Sequence, residues 1–146
     1  MNDFLLQIDR DFSKNETDNI QEEQYQLHLE TAKILARFGC YHKALLSINQ
    51  AIIVQPGRTQ TWIFRGNMLL YLERYEAALS SFQQALKIQP DHQAAVFFCS
   101  VAFYHLGQPR QAYLIYRQAL EIGQQPKCQK LTQIFNFDLF RFHELL

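Results

Sequence analysis

Neither sign of charge is in excess in this chain. Its 146 residues include 14 Lys and Arg and 14 Asp and Glu, so no net field draws it to nucleic acid or an anionic membrane. No cluster of basic residues interleaved with aromatics occurs, and nucleic acid is not an expected partner. No apolar run approaches the length that spans a bilayer. The N-terminus "MNDFLLQIDRDF" carries acids where a secretory signal carries bases, so no membrane partner is expected and the expected location is cytoplasmic. Cysteine is sparse: Cys40, Cys99 and Cys128 are odd in number and share no metal-ligand spacing. They fit a reducing compartment rather than a disulfide framework.

Catalytic signatures are missing too. The 5 histidines are scattered, with His28 and His42 far apart and none in an HExxH arrangement. Five glycines form no phosphate loop, and neither GxSxG nor a Walker motif occurs. Asp9 with Asp11, and Glu22 with Glu23, lie on polar stretches and read as solvated faces rather than acid/base pairs. No catalytic residue, metal or cofactor is expected. An enzyme reading would need a site assembled from distant residues.

What the chain does have is periodicity. "GCYHKALLSINQAIIVQP" (39–56), "ERYEAALSSFQQALKIQP" (73–90) and "GQPRQAYLIYRQALEIGQ" (107–124) are spaced by 34 residues. Ala44, Ala78 and Ala112 share one register position, as do Ala51, Ala85 and Ala119. Large residues keep the same period: Leu45, Leu79 and Tyr113; Ile48, Phe82 and Tyr116; Ile52, Leu86 and Leu120. Within a copy they fall at i, i+3 and i+7, one stripe of a helix, with the alanines beside it. A methyl side chain lets another backbone approach closely, so the alanines mark where a second helix presses.

The preceding segments supply that second helix. His28, Ala32 and Leu35; Trp62, Gly66 and Leu69; Val96, Ser100 and Phe103 hold the same register. The small residues Ala32, Gly66 and Ser100 recur at the crossing point. A mid-helix glycine costs about 1 kcal/mol against alanine, so Gly66 implies compensating close packing. Each unit is a helical hairpin with a short turn, and Pro109 fits the first turn of its helix.

Trp62, Gly66, Tyr75, Ala78, Phe82, Ala85 and Pro90 together closely resemble the tetratricopeptide repeat, TPR. Three copies cover 25–58, 59–92 and 93–126 within a region 21–126. The first has His28 where the family prefers tryptophan, and the third has Gln124 where Pro56 and Pro90 lead one to expect proline. The expected fold is all-α: a TPR superhelix of three helical hairpins, a short N-terminal helix and a C-terminal capping helix. The segment 1–20 reads as that N-terminal helix, with Phe4, Leu5, Ile8 and Phe12 at helical spacing, followed by the turn-rich linker "SKNETDN". The segment 127–146 reads as the cap, with Leu131, Phe135, Leu139, Phe142 and Leu146 on one stripe. For Phe137 and Phe140 two readings stay open, a broader buried face or a second contact surface.

The resemblance implies a concave groove lined by the first helix of each hairpin, binding an extended peptide or a helix. The groove positions are Leu29, Lys33 and Arg37; Ile63, Phe64, Asn67 and Tyr71; Phe97, Phe98, Val101 and His105. For Ile63, Phe97 and Val101, packing between hairpins is an equal alternative. Phe64 and Phe98, at equivalent places, are the expected aromatic anchors, and residues 3–12 are a candidate to cover them in the free protein. One TPR subclass grips a chaperone's terminal carboxylate with Lys, Arg and Asn side chains. Here Leu29, Phe64 and Phe98 make the corresponding places apolar while Lys33 and Asn67 stay polar, so that clamp is not carried over. The expected function is a non-catalytic interaction adaptor or assembly chaperone whose partner is a protein or peptide with an apolar anchor. Self-association of the chain through its aromatic terminal helices, giving a homo-oligomeric scaffold, is the alternative.

Overall fold

The computed structural model describes residues 2–123, with side chains from Lys14 to Ile122. The chain runs through α1 (Asn2–Arg37), α2 (Tyr41–Val54), α3 (Thr59–Tyr71), α4 (Tyr75–Ile88), α5 (Gln93–His105) and α6 (Pro109–Gly123). Helices pair in sequence order as α1/α2, α3/α4 and α5/α6, and α2 with α3 and α4 with α5 join the hairpins into one stack. The first helices of the second and third hairpins, α3 and α5, also touch directly. The fold is an all-α helical-repeat superhelix. The expected capping helix over 127–146, with Cys128, lies outside the described residues.

The alanines lie where the register puts them. Ala44, Ala51, Ala78, Ala85 and Ala112 are fully buried, and Ala119 nearly so. Ala32 and Gly66 on the facing helices are buried as well. A Cβ added to Gly66 would stand 2.3 Å from Cε1 of Phe82, a side chain with no exposure. The missing methyl group is the space that the phenyl ring occupies. Phe82 in turn stacks on Phe98, centroids 5.4 Å apart, carrying the core from the second hairpin into the third.

The hairpin turns share one geometry. Gly39 (φ 73), Glu73 (φ 57) and Gly107 (φ 73) are all left-handed. In each turn the residue after it donates its N–H to a carbonyl five back: Cys40 to Leu35 (2.9 Å), Arg74 to Leu69 (2.8 Å), Gln108 to Phe103 (3.0 Å). These bonds satisfy carbonyls that a helix end leaves open. The loop between the first and second hairpins is tied differently, by Trp62 Nε1 donating to the Pro56 carbonyl at 2.8 Å.

The N-terminal region differs from expectation. The short helix and linker assigned to 1–20 are instead continuous with the first repeat helix, α1 spanning 36 residues. No glycine or proline occurs before Gly39. The linker's Ser, Asn, Thr and Asp cost only a few tenths of a kcal/mol each in a helix, while elongation adds one backbone bond per residue without a new nucleus. With no turn at 13–19, there is no hinge at which residues 3–12 fold back over the groove. A polar cluster fastens α1 to the next hairpin. Glu22 accepts from Gln55 (2.8 Å) and Arg58 (2.6 Å), Arg58 lies over the Tyr25 ring at 5.0 Å, and Tyr25 Oη shares a buried hydrogen bond with Thr61 (2.7 Å).

Candidate functional site

A cavity of about 270 Å³ opens between α3 and α5 near their C-terminal ends. Asn67, Leu70 and Tyr71 of α3 form one wall, Phe97, Phe98, Val101 and His105 of α5 the other, and Glu73 and Tyr75 close it at the turn into α4. Helical spacing produces this arrangement. Asn67 and Tyr71 are four apart, as are Phe97 and Val101 and, one turn on, Val101 and His105, so each set follows one helix face.

The rim is made of stacked rings. Tyr71 lies flat on Tyr41 of the preceding hairpin, centroids 4.6 Å apart at 5°. One repeat further on, Tyr75 lies flat on His105 with centroids 4.6 Å apart at 4°. The rungs are equivalent, since Tyr41 and Tyr75, and Tyr71 and His105, are each separated by 34 residues. Below them Phe97 meets Phe98 edge-on at 5.5 Å and approaches Tyr116 at 6.2 Å. Ring stacking and edge contacts of this kind fix side chains without hydrogen bonds. One polar atom on the wall stands out: Oδ1 of Asn67 is buried and has no hydrogen-bond partner.

Six of the eleven groove positions line the cavity: Asn67, Tyr71, Phe97, Phe98, Val101 and His105. The other five do not. Leu29 and Ile63 are buried in the core, and Phe64 is half-buried against it. Lys33 is exposed and paired with Glu30 at 2.7 Å, and Arg37 is exposed in the last turn of α1. Phe98, expected to project as an anchor, keeps only 6% of its surface and forms the cavity floor against Phe82. A first helix packs against the second helix of its own hairpin and against the neighbouring hairpin, and burial on both sides consumed positions read as groove.

Leu70, Glu73 and Tyr75 are cavity residues that the groove assignment missed. A signal for Glu73 was present, since it occupies the turn position held by Gly39 and Gly107 in the other copies.

Away from the cavity, Arg65 and Cys99 are structural groups. Arg65, half-buried, donates through Nε to Asn49 (2.9 Å) and through Nη1 to Ser81, bridging α2 and α4. Burial, and secondarily Arg74, lowers its pKa from the usual arginine value. Burial pushes the Cys99 thiol up to about 12, which leaves it protonated and unreactive. Among the described residues no cluster of His, Cys, Asp and Glu is arranged to hold a metal ion, and no helix is long and apolar enough to cross a membrane.

Comparison with known proteins agrees with this architecture. A family model described as tetratricopeptide repeat matches residues 69–134. No curated protein matches the sequence. Among solved structures, the Arabidopsis OM64 TPR domain is similar with a TM-score of 0.72 at 18% identity, covering 86% of this chain and 99% of that one. The first TPR of Spaghetti (RPAP3), bound to the HSP90 peptide SRMEEVD, gives 0.71 at 16% identity over 84% and 93%. The second TPR domain of human RPAP3, in complex with the HSP70 peptide SGPTIEEVD, gives 0.68 at 18% identity over 73% and 89%.

Proposed function

We propose, from the premise that this chain is a tetratricopeptide-repeat protein, that it is a non-catalytic interaction adaptor or assembly chaperone holding an apolar peptide or helix in its concave groove. The observation that carries this reading is the α3/α5 cavity, with Leu70, Phe97, Phe98 and Val101 beneath a rim of stacked rings. Such a concavity accepts one side chain as an anchor while the neighbouring helix faces support the rest of a peptide. Similar domains hold the tails SRMEEVD and SGPTIEEVD, which supports a peptide as the class of partner.

Selection from a random-peptide display library against the immobilised chain tests this. Binders are expected to share one anchor position whose side chain has an apolar body and to lose roughly tenfold or more in affinity, about 1.4 kcal/mol, on Val101→Gln with helix content unchanged. Binders indifferent to Val101→Gln and to Phe97→Ala would contradict the reading.

A second reading, self-association, draws on α1. Ile20 (53% exposed), Leu27 (66%) and Ile34 (52%) are spaced by seven on the side of α1 opposite Tyr25, Leu29 and Ala32. Ile20, Leu27 and Ile34 form one exposed apolar column along the helix, a surface that a second copy of the chain would cover. Sedimentation of wild type against Leu27→Glu decides it: a dimer that dissociates in the variant supports the reading, and a monomeric wild type removes it.

A further inference from the structure

The α3/α5 cavity is apolar along Leu70, Phe97 and Val101 and carries an acidic group at its turn end. Among the described residues Glu73 is the sole Asp, Glu, Lys or Arg lining it, and its carboxylate makes no ion pair or hydrogen bond with them. Asn67 adds a buried acceptor, Oδ1, that lacks a donor. Tyr71 and Tyr75, two residues to either side of Glu73, contribute electron-rich rings held in place by Tyr41 and His105. Both α3 and α5 end here, at Tyr71 and His105, and the carbonyl end of a helix is its negative pole. The exposed cations Lys33 and Arg37 of α1 are not on the walls.

Glu73 also occupies a conformation that favours glycine. Its φ of 57 matches the 73 of Gly39 and Gly107 at the equivalent turns. A strained residue at a cavity mouth is where backbone geometry points to a role for the side chain.

From this juxtaposition we propose that the cavity accepts a lysine or arginine side chain of the partner, which specifies the anchor and rests on the cavity's being the peptide site. The aliphatic stem lies on Leu70, Phe97 and Val101. The cationic head meets the Glu73 carboxylate beside Tyr71 and Tyr75, where a charge over an aromatic ring is favourable. Long basic side chains combine these two ends, an apolar stem and a charged tip. The preference is opposite in sign to the acid-rich tails SRMEEVD and SGPTIEEVD that similar domains hold.

The test is a titration of the isotope-labelled full chain at neutral pH, followed by backbone amide shifts. The probes are blocked pentapeptides Ala-Leu-X-Leu-Ala, with X lysine, norleucine or glutamate. The lysine peptide is expected to bind roughly five- to tenfold tighter than the norleucine peptide, with shifts at residues 67–75 and 97–105, and the glutamate peptide weakest. Glu73→Gln is expected to remove most of the lysine peptide's advantage over the norleucine peptide. Glu73→Gly, which keeps the turn and removes the carboxylate, is expected to do the same. If wild type binds norleucine or glutamate as tightly as lysine, or if both variants keep the lysine preference, the cation assignment is overturned while the cavity stands as a peptide site. If none of the peptides shifts the cavity amides, the peptide site itself is overturned.

Discussion

Gly66 and Phe82 show how a single residue carries the packing of a hairpin. The phenyl ring fills the space a Cβ on residue 66 would need, at 2.3 Å from Cε1, and it is enclosed on all sides. Gly66→Ala is therefore expected to destabilise the chain by about 1–3 kcal/mol, measured as a shift of the denaturant midpoint at constant slope. This position was legible from sequence, because Gly66 shares its register with Ala32 and Ser100. Glu73 was legible only as a departure from Gly39 and Gly107, since its left-handed φ is a property of the backbone. A non-glycine residue there costs about 1–2 kcal/mol, and glycine forfeits roughly 0.5–1 kcal/mol of unfolded-chain entropy. Glu73→Gly is thus expected to raise stability by on the order of 0.5–1 kcal/mol, read in the same denaturation. Loss of stability would mean that the carboxylate has a structural partner.

At the scale of the element, α1 is the helix whose extent the sequence concealed. Periodicity gave the turns at 39, 73 and 107, because each is bracketed by the repeat register and two contain glycine. It could not give the start of α1: polar residues at 13–19 resemble a linker in composition, and their helical cost is too small to break a helix already nucleated beyond them. The same helix is secured at Glu22. Hydrogen bonds from Gln26 and Gln55, and then the charge and hydrogen bond of Arg58, outweigh desolvation and hold this carboxyl below its ordinary value of 4.5. A depressed folded-state pKa contributes stability that is present above the unfolded value and lost as pH falls through the folded one. Stability is accordingly expected to decline on acidification below about pH 5, and to decline less steeply in Glu22→Gln. Denaturation midpoints of both proteins across that range check it; parallel pH profiles would show that the cluster does not couple to folding.

For the whole molecule, three hairpins and their order were legible, whereas which groove positions line the cavity was only half so. Spacing fixes which residues share a helix face, but burial of Leu29, Ile63 and Phe98 depends on neighbours packed from both sides, which no single helix pattern encodes. The turn into α4 entered the site for the same reason: Glu73 and Tyr75 reach the cavity through the stacking of hairpins. The continuity of α1 also changes the expected effect of truncation. Removing residues 1–20 is expected to leave peptide affinity at the α3/α5 cavity unchanged, measured by calorimetric titration, and a gain in affinity would restore self-covering by residues 3–12. The central claim, that this cavity is the binding site, is tested most directly by backbone amide shifts of the full chain on adding a display-selected peptide. Shifts concentrated at residues 67–75 and 97–105 are expected; shifts concentrated on α2, α4 or the exposed side of α1, with the cavity silent, would contradict it.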